Sequence, residues 1–127
     1  MFVQGAFPCR ESPVVLGHEF CGEVVSVGPS VTHLKSGDRV AVDPNSGCLT
    51  CDACHNGNYH YCSGGGIDKI TGIYQDGGWA QFCLVPADQI HKLPENISLK
   101  QGILLYKNKS VVYSSQGSHI GKLALSN

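Results

Sequence analysis

Charge is scarce in this 127-residue sequence. Lys and Arg number 9 and Asp and Glu 10, a net charge of −1, and charged residues make up 15% of the total, against roughly 25% in an ordinary soluble domain. So nearly neutral a chain argues against a broad nucleic-acid surface and against a site for acidic membranes. Long hydrophobic runs are missing too. No apolar stretch reaches the roughly 18 residues of a membrane span. The N-terminal Met1-Phe2-Val3-Gln4-Gly5 lacks the basic and apolar regions of a secretory signal. A cytoplasmic, reducing location is therefore expected, where cysteines serve as metal ligands or small buried side chains rather than disulfides. The length suits one domain with a modest core.

Glycine, by contrast, is abundant at 16 residues, nearly double the usual share of about 7%. Short strands and loops are expected rather than helices. Residues 1–16 read as loop, and the beginning of the domain is expected to be missing. Gly17 to Gly28 is rich in β-branched residues and reads as one long strand, bent or bulged at Gly22. Asp38 to Asp43 alternates as a second strand after a Ser36-Gly37-Asp38 turn. Trp79 to Val85 and Ile90 to Leu93 read as two more, with one helical turn at Ala87-Asp88-Gln89 between them. Ser98-Leu99-Lys100-Gln101 is a capping box that announces a helix. That helix should continue, yet Gly102 follows at once and no amphipathic repeat comes after it. Residues 103–127 read as a divergent, poorly ordered tail.

Four of the seven cysteines fall within fifteen residues, at Cys48, Cys51, Cys54 and Cys62, spaced C-x2-C-x2-C-x7-C. Four thiolates, each about 2.3 Å from Zn²⁺, close a tetrahedron and leave no position for a substrate. The cluster therefore reads as a structural zinc site. C-x2-C-x2-C also begins iron–sulfur runs, which continue x3-C-P; here seven residues intervene and Ser63 follows Cys62. Cys9, Cys21 and Cys83 are scattered and read as small buried side chains. His55 and His60 lie inside the hook and are expected to be exposed, like His33, His91 and His119.

Gly17-His18-Glu19 is a second, weaker signal. A lone His at a strand start is more often a satisfied side chain than a ligand. Neutral His nonetheless suits zinc, and an adjacent carboxylate can orient it or enter the coordination shell. One His and one Glu fall short of the three protein ligands of a catalytic zinc. Gly117-Ser-His-Ile-Gly121-Lys122 is one residue short for a P-loop and is no G-x-G-x-x-G dinucleotide fingerprint.

Taken in register, these pieces resemble the GroES-like catalytic domain of zinc-containing medium-chain alcohol dehydrogenases, in the polyol and threonine dehydrogenase branch. The resemblance spans about residues 5–105. It rests on Gly17-His18-Glu19 with Gly22 and Gly28, on Gly37-Asp38-Arg39-Val40, and on the cysteine hook. Gly77-Gly78-Trp79-Ala80-Gln81-Phe82, Val85-Pro86-Ala87 and Lys92-Leu93-Pro94 complete it. The resemblance implies a mainly β fold: a twisted, partly open antiparallel barrel with a four-cysteine structural zinc lobe and few short helices. Residues 1–102 would be that domain. The resemblance also implies that His18 ligates a separate catalytic zinc with Glu19 beside it, and that NAD(P) serves the complete enzyme as hydride acceptor.

Two departures qualify this. The family's cysteine ligand would lie upstream of Met1, and where the polyol branch carries a glutamate after its A-L-L helix this chain reads Ile103-Leu104-Leu105-Tyr106. The nucleotide-binding domain is expected to be absent. This chain alone is then expected to hold a catalytic zinc poorly and to show no turnover. Partners are expected to be a full-length relative or subunits of the same family. Two other readings stand beside this one: a zinc-stabilised interaction module, and a zinc-ribbon nucleic-acid binder that the charge disfavours.

Overall fold

In the computed structural model, residues 13–64, 69–107 and 119–126 are described below. Strand β1 spans Phe20–Val27, β2 Arg39–Val42, β3 Phe82–Pro86, β4 Ile90–Lys92 and β5 His119–Ser126. Two helices accompany them, α1 at Asp52–His55 and α2 at Leu99–Lys107. The strands form one sheet in the order β3-β5-β1-β2-β4. The expected mainly β class, with an unclosed sheet and short helices, is the one observed. A wholly antiparallel sheet is not. β1–β2 and β2–β4 are antiparallel, but β5 lies parallel to both β1 and β3.

The alternation of β1 places Phe20 and Val24 on one face, where they join Val40, Val42, Cys83, Val85, Ile90 and Leu34 in the larger core cluster. The opposite face carries Cys21 and Ala41, which pack with Leu93 and Ile103 under α2. The strand begins at Phe20 rather than Gly17. Its irregularity falls between Val24 and Ser26, not at Gly22. Gly22 instead pairs in register with Val40 on one side and Gly121 on the other, so it has no extra residue to absorb. The turn before β2 is as expected: the Asp38 amide donates to the Lys35 carbonyl at 3.1 Å, and Gly37 sits at φ +90°, where a side chain would be strained.

β3 starts at Phe82, later than its alternation suggests. The preceding residues Gly77 to Trp79 pair instead with the loop ahead of β1. The Gly77 amide donates to the Val15 carbonyl, Gly78 to Gly17 and Trp79 to Leu16, at 2.7 to 3.0 Å. The capping box forms as read: Ser98 N donates to Gln101 Oε1 at 2.9 Å and Gln101 N to Ser98 Oγ at 3.3 Å. Gly102 does not stop the helix. It lies where α2 approaches the sheet, and a Cβ there would meet Leu93 Cδ1 at 2.7 Å and Cys21 Sγ at 3.0 Å. Arg39 fastens the same corner, donating to the carbonyls of Ile97 at 2.9 Å and Glu95 at 2.7 Å. Of the tail expected over 103–127, α2 takes the part up to Lys107 and β5 the part from His119 to Ser126. Residues 108–118 and 127 lie outside the described residues, as does Cys9.

Candidate metal centre

The excursion between β2 and Thr71 carries the four cysteines. Cys51 is the residue before α1 and Cys54 lies within it. Cys62 closes a single 3₁₀ turn at Tyr59–Tyr61, its amide donating to the Tyr59 carbonyl at 3.0 Å. Cys48 is brought in by a turn in which Leu49 adopts φ +62°. The four sulfur atoms all lie within 4.8 Å of one another. Cys48 and Cys54 are 4.0 Å apart at Sγ, and Cys51 and Cys62 3.9 Å. A zinc tetrahedron with bonds of about 2.3 Å has edges of about 3.8 Å, so the cage has the size of the ion.

Backbone amides point at the sulfurs as well. Cys48 Sγ accepts from the amides of Cys51 at 3.3 Å and Thr50 at 3.5 Å, and from the Thr50 hydroxyl at 3.3 Å. Cys62 Sγ accepts from the amides of Cys48 at 3.2 Å and Gly64 at 3.3 Å. These donors favour thiolates. The Thr50 hydroxyl and the amides pull Cys48 down to about 5. The Cys48 and Gly64 amides lower Cys62. Desolvation pushes Cys54 up to about 11. A divalent ion held by the four sulfurs would favour the thiolate there as well. The donor set and its geometry fit a structural zinc, and four thiolates leave it closed to substrate.

Several contributors to this cage were not read from sequence. Gly47 and Gly64 are there for close approach: a Cβ on Gly47 would meet Cys54 Sγ at 2.5 Å, and one on Gly64 would meet Cys48 Sγ at 2.8 Å. Their signal is position, one just before the first cysteine and one just after the last. Asp43, at the end of β2, accepts a 2.6 Å hydrogen bond from the Tyr59 hydroxyl. That bond with the Asp43 carboxylate, chiefly, raises Tyr59 to about 12. His55 and His60 are exposed, as read. The His60 ring lies 4.4 Å from that of Tyr61 and takes no part in the cage.

His18 and Glu19 lie elsewhere, half-buried at the start of β1. Gly17 before them has φ +102°. A Cβ on it would strike the Trp79 ring, and Cβ atoms on Gly72 or Gly77 would strike the Gly17 carbonyl. The motif is thus held by three glycines whose backbones touch. Among the described residues, no set of three ligating side chains includes His18 or Glu19. Cys21 and Cys83 are buried; burial pushes both thiols up to about 11, as suits core side chains rather than ligands. His33 and His91 are exposed.

A profile of the family described as "Alcohol dehydrogenase GroES-like domain" matches residues 1–95. Probable D-xylulose reductase A of Aspergillus clavatus is 45% identical over 95 residues, which are 75% of this chain and 26% of that protein. Galactitol-1-phosphate dehydrogenase from Escherichia coli superposes with a TM-score of 0.64 at 31% identity, over 76% of this chain and 27% of that one. A cobalt- and zinc-bound thermostable alcohol dehydrogenase from Pyrobaculum aerophilum does so with a TM-score of 0.56 at 31% identity, over 73% and 25%. The chain spans about a quarter of the length of the curated relatives it matches. None of the described helices is long and apolar enough to cross a membrane.

Proposed function

The chain belongs to the zinc-dependent alcohol dehydrogenase family through its GroES-like domain, and from that premise we propose that it is the catalytic-domain portion of an NAD(P)-dependent alcohol or polyol dehydrogenase. The observation that carries this is the cysteine cage, preassembled to zinc dimensions at the end of β2. In this reading the hook is a staple and not the reacting centre. His18 and Glu19 are the portion of a separate catalytic zinc set that the chain carries. The described residues provide no third ligand for that metal. In this reading residues 1–127, which hold no dinucleotide fingerprint, do not turn over by themselves. None of the six described cysteines is in a disulfide, which supports a reducing, cytoplasmic location. Exposed Trp79, Phe82, Leu84 and Leu104 support association with a subunit of the same family.

Metal analysis of the purified chain tests this reading. One zinc per chain is expected, and replacing it with cobalt should give the charge-transfer absorption of a tetrahedral thiolate site. Two zinc ions per chain would show that the His18 site is complete after all. Bound iron and sulfide would remove the zinc assignment. Polyol-dependent reduction of NAD⁺ by the isolated chain would overturn the claim that it has no turnover.

A further inference from the structure

The strand that joins the two halves of the sheet lies outside the residues that match the family. That match covers 1–95, whereas β5 is His119–Ser126. β5 nonetheless lies between β1 and β3 and is the only neighbour of β3 among the described residues. Its pairing runs the length of β1 with one register shift, between Val24 and Ser26. Phe20 to Val24 pair with His119 to Leu123, and Ser26 and Val27 with Ala124 and Leu125. On the other side Phe82 to Pro86 pair with Lys122 to Ser126. Without β5, the described residues of the family match leave a gap one strand wide, with open backbone donors and acceptors along β1 and β3.

We infer that the gap between β1 and β3 is an acceptor slot for one extended peptide running parallel to both strands, and that the chain fills it with its own residues His119–Ser126. Recognition is through main-chain hydrogen bonds, which any non-proline segment supplies. Parallel ladders are slightly weaker per residue than antiparallel ones. The pairing of Gly22 with Gly121 brings no side chain from either strand to that point, which weakens it further. The occupant is therefore exchangeable, and the main chain of β3 is paired into the sheet only while the slot is filled. This inference does not depend on the proposed dehydrogenase role, because it concerns main-chain pairing and not the metal.

The test uses the full chain and hydrogen exchange. In the wild-type chain the amides of Cys83 to Val85 and of His119 to Ser126 are expected to be protected, and to open together in mild denaturant. Free exchange at His119–Ser126 would overturn the inference without any variant. Leu123→Pro removes an amide in mid-strand and clashes with its neighbours. Exchange at Cys83–Val85 should then accelerate at least about tenfold, the ratio that goes with losing a single ladder bond. Protection at Val40–Val42 and the zinc count should stay as they were. A synthetic peptide of residues 117–127, added to the Leu123→Pro chain, should restore protection at Cys83–Val85. Failure of the peptide to restore it, or unchanged exchange in the variant, would sink the slot. If Leu123→Pro also loses protection at Val40–Val42, the wild-type measurement decides. A wild-type dimer that becomes monomeric in the variant would assign the strand to a second copy and overturn self-supply.

Discussion

At the scale of single residues, the cage depends on neighbours that no ligand pattern names. Thr50 donates both its hydroxyl and its amide to Cys48 Sγ. Thr50→Val keeps the shape and loses the hydroxyl bond, so zinc affinity should fall by about tenfold, at the low end of what outer-shell partners contribute. Chelator competition measures it. Gly64→Ala should cost more, because its Cβ would press on Cys48. The four ligands themselves were legible because they lie close together in the chain. The glycines and Thr50 were not, since their role is a distance that exists only after the turns form. Tyr59 gives a test by pH. Its folded pKa, about 12, lies above the ordinary 10. The stability from its bond to Asp43 is therefore fully present below pH 10 and is lost as pH rises through about 12. Tyr59→Phe should cost about 0.5–1.5 kcal/mol at neutral pH and flatten the alkaline limb of the denaturation profile.

At the scale of elements, α2 shows how a clear start signal and an ambiguous continuation can share five residues. The Ser98–Gln101 box was readable because capping is local chemistry. Whether it runs past Gly102 was not readable, because a glycine inside a helix has two causes, a break or a close approach, and only the packing against Leu93 and Cys21 separates them. Ser98→Ala should destabilise the domain by about 1 kcal/mol through the lost cap. Gly102→Leu should cost about 1–3 kcal/mol through overpacking. Urea melts of the two variants would check both. If Gly102→Leu proved neutral, the helix would not be pressed against the sheet as described. β1 makes the same point: its β-branched pattern was plain, but the residue that breaks register against β5 depended on a strand from far along the chain.

At the scale of the whole molecule, the zinc lobe stands outside the cores of the sheet. The two core clusters contain no residue between Gly47 and Gly64. Stripping zinc with a chelator should therefore melt the lobe while β1, β2 and β4 keep their amide protection. Simultaneous loss of protection in all of them would show that the metal holds the sheet as well. Family, fold class and metal cage could be read from sequence because short motifs carry them. The parallel placement of β5 could not, because main-chain pairing over such a separation leaves little trace in local pattern.

The neck of the lobe is closed without metal. The carbonyl of Pro44 accepts from the Thr71 amide at 3.1 Å and from Gln89 Nε2 at 3.3 Å, and the Thr71 hydroxyl donates to Gln89 Oε1 at 2.7 Å. Gln89 is almost wholly buried, and its amide group is satisfied on both sides. For protein engineering this makes residues 45–70 a cassette. A shorter, metal-free connection grafted between Pro44 and Thr71 should leave the sheet standing, and the same clasp should accept a different metal-binding loop.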